Sequence, residues 1–549
     1  MKRTSVKQIL AAAMTTAIVL GMAACGQSKS EEASGTPATE AAQTEQSGQA
    51  AQTEVPENIR NEIRFATIAA PPTLDIQMIT NITGKSIAEY NVFEKLMEYD
   101  ANYELFPVLA ESFEVNPDNT EYIYYLRKDV KFHNGAPMTA DDVVASMNRW
   151  IEKVSAAGSL FGDSRFEKVD ESIVKVTLNN PSIFVNDMIA GCNNGAVIYP
   201  AEVIENADAD TGYIKDYIGT GPYKFVEWVP DQYVLLEKNA EYAPADNGAR
   251  HGYAAAAVPV TEKLYYDFVP DDSTRTAGIQ TGEYDMIYKA PYDNYDMLKN
   301  DDSLDIYNSV YGDIWMVFNK KEGIATDQKL RQAIQMSLDN DEIMIGAYSV
   351  PDAFRTDGSY MLEEQSVWYN HEDDAAYNQK DTEGAKALLQ ESGYNGEAFR
   401  LLVSPDYSDM YNAAIVIQSQ LKKIGINVEL VTADWATFTS YRADETMYDG
   451  FITTGPAPIL PTTILYISSG WPGWAADEKL QSMLVELNTM ANSEEGIQLW
   501  SEIQAYCSNE YVPICKLGDI YRFNVATNKL KNIETYGFAP LFWNAYVEE

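Results

Sequence analysis

An α/β fold is what this sequence predicts for its large body, with the second half read as a mainly parallel sheet with helices on its faces. Three observations carry the prediction. From about residue 57 the chain continues for close to 490 residues, enough for two or three substantial cores. The apolar fraction of 46% and the charged fraction of 22% are those of an ordinary globular protein. In the second half, segments of strand period and helix period alternate in a β-α-β rhythm, which a parallel sheet satisfies most economically.

Ahead of that body lies a different kind of sequence. Lys2, Arg3 and Lys7 make a cationic start, and Ile9 to Ala24 is an uncharged, mostly apolar run. The run is shorter than the ~20 residues a spanning helix needs, so the segment 1–24 reads as a secretory signal. Gly21-Met22-Ala23-Ala24-Cys25 resembles a bacterial lipobox, with Met22 where leucine is usual. It implies a lipid on Cys25 and an extracytoplasmic protein held on the outer face of the cell membrane. The alternative is an ordinary cleaved signal and a chance cysteine. Residues 25–56 contain one valine and no Leu, Ile or aromatic residue, so they cannot bury enough surface to offset chain entropy. As a flexible leash of about 30 residues they would reach roughly 30 Å on average.

Within the body, Ile63 to Ile68 reads as a first strand that Pro71-Pro72 stops. Thr139-Ala140-Asp141-Asp142 offers a capping-box-like helix start, and Val143, Val144, Met147, Trp150 and Ile151 fall on one face after it. Ile173 to Leu178 alternates as a strand. Helices start at Asp327 and Asp381, the second ending at Gly393. A strand Phe399–Val403, a helix Tyr411–Ile424 stopped by Gly425, and a strand Asn427–Val431 follow.

The formal charge is −42, and loss of the three cations of segment 1–24 would leave −45. Such a body repels nucleic acid and anionic lipid over much of its surface. With Cys25 assigned to lipid, Cys192, Cys507 and Cys515 remain; a Cys507–Cys515 bridge and free buried thiols both stay open. Catalytic motifs fail on inspection. Gly84-Lys85-Ser86 lacks the upstream glycine of a phosphate loop, Ile79 standing there, and Gly219-Thr220-Gly221 meets Lys224 where a dinucleotide fingerprint needs glycine. His133, His251 and His371 are scattered singly, which leaves little material for zinc or histidine chemistry. With 82 acids, no carboxylate pair stands out, and a glycosidase-like pair stays open.

Five ordered stretches resemble the family 5 extracellular solute-binding proteins, the peptide, nickel and oligosaccharide receptors of ABC importers. They are the run from Arg64 ending in Leu74-Asp75; Leu109 to Trp150; Gly219–Trp228; Val269–Tyr288; and Val317–Ile343. The resemblance implies a two-lobed periplasmic-binding-protein-like α/β fold of type II, with an extra domain and a hinge between lobes. Lobe one is expected at 57–100, 219–314 and 518–549, the extra domain, packed on lobe one, at 101–218, and lobe two at 315–517. The implied activity is binding without catalysis: a monomer, with no cofactor or metal, captures a small solute and delivers it to the permease of an importer.

By the same resemblance, three loops should face the cleft: Ala69 to Asp75, the segment through Lys289 and Ala290, and the segment after Phe451. The expected ligand-binding residues are Pro72, Thr73, Leu74, Tyr288, Lys289, Trp315, Trp435, Thr453, Thr454 and Gly455. Peptide-binding members carry an aspartate in the third loop that pairs with the peptide ammonium. Here no acid occurs between Asp449 and Asp477, so an ammonium would need another counter-charge. A peptide or peptide-like solute is the leading expectation. An oligosaccharide or other uncharged solute is the alternative, and a secreted hydrolase a third reading.

Overall fold

A computed structural model describes residues 56–549, apart from 80, 192–194, 371–374 and 538. The expected signal segment, Cys25, Cys192 and His371 lie outside the described residues. One large sheet organises the body, built from β1 (Glu62–Thr67), β2 (Tyr223–Val229), β3 (Tyr233–Lys238), β4 (Lys263–Phe268), β5 (Met286–Ile287), β6 (Leu304–Phe318), β7 (Phe354–Arg355), β8 (Phe399–Val403), β9 (Val428–Thr432), β10 (Gly450–Pro456) and β11 (Ile514–Thr527). Their order is β9-β8-β10-β6-β11-β5-β1-β4-β3-β2, with β7 on β11.

The expected mainly parallel sheet is in fact mixed. Two parallel sets, β9-β8-β10 and β5-β1-β4, are joined by the long antiparallel pair β6 and β11. The reason is connectivity. Each of these two strands passes directly from one half of the fold to the other, without the crossover helix that a parallel neighbour requires. The result is a two-lobed α/β protein, as expected, with a separate core under each half. Phe65, Phe93, Tyr199, Tyr266 and Phe542 pack on one side, and Ile314, Met316, Leu401, Ile417 and Ile452 on the other.

The helix signals are local and recover well. The first helix, α1 (Ala140–Lys153), follows Thr139, whose N–H and hydroxyl both donate to Asp142 Oδ2 (2.8 and 2.7 Å). Asp327 accepts from Leu330 N (2.9 Å) to start α2 (Gln328–Ser337), and Gly425, at φ +96°, follows α3 (Ser408–Lys423). Strands 110–115, 121–126, 166–170 and 173–177 form a separate antiparallel sheet against α1. This unit touches both halves. Arg149 reaches Asp75 on one side. On the other, Phe184 packs 5.4 Å from Trp368, and Asn119 Nδ2 donates to Ala491 O (2.5 Å).

Several motifs prove to be packing devices. A Cβ on Gly219 would lie 1.9 Å from Val92 O, and one on Gly221 2.3 Å from Asn91 O, so these glycines admit a neighbouring backbone. His133 accepts from Gly219 N (3.3 Å) and donates to Gly221 O (2.9 Å); burial lowers its pKa to about 4, which keeps the ring neutral. Cys507 and Cys515 are free and buried, and burial pushes both thiols up.

Glu94 lines an internal cavity with Lys95, Glu98 and Tyr242. Burial pushes its carboxyl up to about 7, against a hydrogen bond from Tyr242 Oη (2.8 Å). A folded-state value above the ordinary 4.5 means that the folded protein holds the proton longer than the unfolded chain. The associated stability is complete below about pH 4.5 and is lost as pH rises to about 7. Glu94→Gln should therefore flatten the fall in melting temperature across that window. Parallel wild-type and variant curves from pH 4.5 to 7 would refute the assignment.

Candidate functional site

The C-terminal ends of the two parallel sets face the region beside β6 and β11, where open α/β sheets place ligands. A cavity lies there, lined by Tyr103, Tyr311, Leu362, Ala457, Pro458 and Ile459 among others. Its wall combines residues from both halves. The segment 457–459 follows β10, and the Ala457 N–H donates to Tyr311 O on β6 (2.9 Å). It brings no acid to the cavity. Gln365 is spent on local structure, donating to Pro458 O (2.7 Å) and accepting from Leu362 N (2.9 Å).

The expected site residues are distributed unevenly. Pro72 is exposed, whereas Thr73 and Leu74 are buried, Leu74 at 0% in the core beneath β1. Thr73 Oγ1 accepts from Asp75 N (3.1 Å) and sits 3.3 Å from Tyr217 Oη. Tyr288 is buried at the end of β5 with no hydrogen-bond partner on its hydroxyl. Lys289, exposed beside it, has φ +51° and donates its N–H to Asn524 Oδ1 (3.0 Å). That left-handed conformation in a non-glycine residue is of the kind that concentrates at binding loops.

Trp315 lies 4.7 Å from Tyr466, with Thr453 opposite it in the β6–β10 register and Thr454 opposite Ile314. A Cβ on Gly455 would meet the Trp315 indole at 2.4 Å, so Gly455 makes room for that ring. Trp435 packs at the edge of the same core. It stacks on Phe438 (4.9 Å) and meets the exposed ring of Tyr407 edge-on (4.7 Å), at the ends of β8 and β9.

Sequence reasoning named Thr453, Thr454 and Gly455 rather than 457–459 within the segment after Phe451, and missed Tyr311 and Arg522 on β11, whose guanidinium lies 3.5 Å from the Tyr311 ring centre and 5.2 Å from that of Tyr288. The available signal was the lone arginine inside the apolar run Ile520–Ala526, since unpaired charge is rare in buried strands. Next to this point Asp313 is also buried, 3.9 Å from Lys516, which pairs with Asp519 (2.6 Å); burial raises the Asp313 carboxyl to about 7.

Two lobes, a mixed sheet crossed by two long strands, and a cavity at the crossing define a binding protein of the periplasmic type. The model of the bacterial extracellular solute-binding proteins, family 5, matches residues 104–474. The chain belongs to that family. It is similar to a probable peptide ABC transporter periplasmic-binding protein of Sinorhizobium fredii, at 26% identity over 82% of this chain and 87% of the relative. Heme-binding protein A of Haemophilus influenzae is likewise 26% identical, over 91% and 92%. Among solved structures, the ABC transporter substrate-binding protein CtaP of Listeria monocytogenes superposes with a TM-score of 0.78 at 20% identity, over 89% of this chain and all of that one.

Proposed function

We propose that this chain is the lipid-anchored receptor of an ABC importer, which captures a peptide or peptide-like solute between its lobes and passes it to the permease. The observation that carries the reading is the aromatic and apolar cavity at the β6–β11 crossing, walled by residues of both halves. A ligand there makes contacts that exist only when the lobes are together, so binding favours closure by that difference. The family supplies the receptor role, and nothing in that role requires covalent chemistry.

The lobes are read as 57–100, 219–314 and 518–549 against 315–517, with 101–218 as the extra domain. The register shift between Val310 and Gly312 on β6 supports a hinge close to the first of those boundaries. Cys25 and the leash after it would hold the receptor at high local concentration beside its importer without fixing its orientation. The missing acid after β10 argues for a ligand whose ammonium, if it has one, is met elsewhere or left in solvent.

Native mass spectrometry of protein purified from cells tests the ligand. A co-purifying mass that fragments as amino-acid residues is expected. Recovery of hexose units alone would reject the peptide reading in favour of a carbohydrate.

A further inference from the structure

Arg522 has an unusual environment for this chain. Acids outnumber bases by 82 to 40, yet among the described residues no carboxylate pairs with this half-buried guanidinium. Buried Arg149 and half-buried Arg355, by contrast, are held by Asp75 and Asp519 at 2.6 Å each. Arg522 lies instead against two rings, Tyr311 and Tyr288. Desolvation alone acts on it, pushing its pKa down to about 9. Beside it the Tyr288 hydroxyl is buried and unpartnered. A guanidinium without a carboxylate and a hydroxyl without a partner thus share one patch.

Both belong to the face that closes over a ligand. Tyr311 lines the interlobe cavity and Tyr288 begins the loop after β5; burial raises the Tyr311 pKa, and Tyr407 from the other half adds to that rise. A half-buried cation without an anion is partly desolvated at a cost, and the five donors of a guanidinium match a carboxylate in fork geometry.

We infer that Arg522, held between Tyr288 and Tyr311, is the subsite for a carboxylate of the solute, with the Tyr288 hydroxyl as a second donor. This rests on the receptor reading above and narrows it to anionic or zwitterionic ligands. The body as a whole repels anions at a distance, so recognition at this site is short-ranged. The Tyr311 ring lies directly against the guanidinium, 3.5 Å from ring centre to its central carbon.

The test uses matched probe pools: tripeptides with a free C-terminus, the same tripeptides amidated, and simple monocarboxylic acids with their amides. Melting shifts and titrations would be run on wild type, Arg522→Gln, Arg522→Lys and Tyr288→Phe. At least one free acid should bind, its amide should bind at least tenfold more weakly, and Arg522→Gln should lose the difference. Arg522→Lys should recover part of it, and Tyr288→Phe should weaken it less. Acids that bind without any peptide binding would sink the peptide reading and leave this subsite standing. Peptide acids and amides that bind wild type equally would do the reverse. If no acid shifts wild type, the proposal fails. Because the acid–amide comparison is made on wild type, a variant that does not fold cannot rescue it.

Discussion

Arg149→Met is expected to destabilise the body by about 3–5 kcal/mol, the cost of removing one partner of a buried ion pair. Arg149 projects from α1 and grips Asp75 with both terminal nitrogens (3.0 and 2.6 Å), while also donating to Gln77 Oε1 (2.9 Å) and Gly212 O (3.0 Å). Asp75 is 0% exposed and has two further donors, Ile214 N (3.0 Å) and Tyr199 Oη (3.2 Å). Without the guanidinium, two neutral donors would be left to support a fully buried charge. The change should appear as a lowered urea midpoint. Adding Asp75→Leu to Arg149→Met should recover part of the loss, because the orphaned carboxylate goes with it. A single variant within 1 kcal/mol of wild type would show that the pair does not brace the joint between α1 and the segment after β1.

That pair also marks how much of the molecule could be read from its sequence. Asp75 stood out within a motif, but its partner lies 74 residues away and no local pattern links the two. The residue therefore read as the end of a ligand-facing loop, whereas its side chain is a fixed strut. Capped helices were legible because their signals lie within four residues, as at Thr139–Asp142 and Asp327–Leu330. The direction of β11 was not, because Lys516, Asp519 and Arg522 interrupt its apolar pattern; Lys516 and Asp519 pair with each other within the strand, Asp519 also with distant Arg355, and Arg522 lies against the distant ring of Tyr311. For the site, type and neighbourhood were partly visible in Tyr288 and Trp315. The contribution of β6 and β11 depends on a strand pairing separated by about 200 residues in the chain. Only the folded register reveals that Tyr311 and Arg522 share one patch.

Gly312→Ala should be as costly for a different reason, with an expected loss of about 3 kcal/mol, the upper part of the range for overpacking. An added Cβ would sit 2.0 Å from Gly455 O and 2.6 Å from Ala457 N, both backbone atoms, so β6 and β10 would have to part. Gly312 lies where β6 shifts register against β11, one residue after Tyr311. The same displacement would stretch the Ala457 N to Tyr311 O hydrogen bond that sets the 457–459 wall of the cavity. It would also move Gly455 from beneath the Trp315 ring. Stability and binding should therefore fall together, in contrast to a site mutation that spares the fold. Gly470→Ala is the control, since its added Cβ would meet only Ser468 Oγ at 3.9 Å, and it should stay within about 0.5 kcal/mol of wild type. If Gly312→Ala matched that control in urea unfolding, the close approach of β6 and β10 would not be what fixes the cleft at its crossing strands.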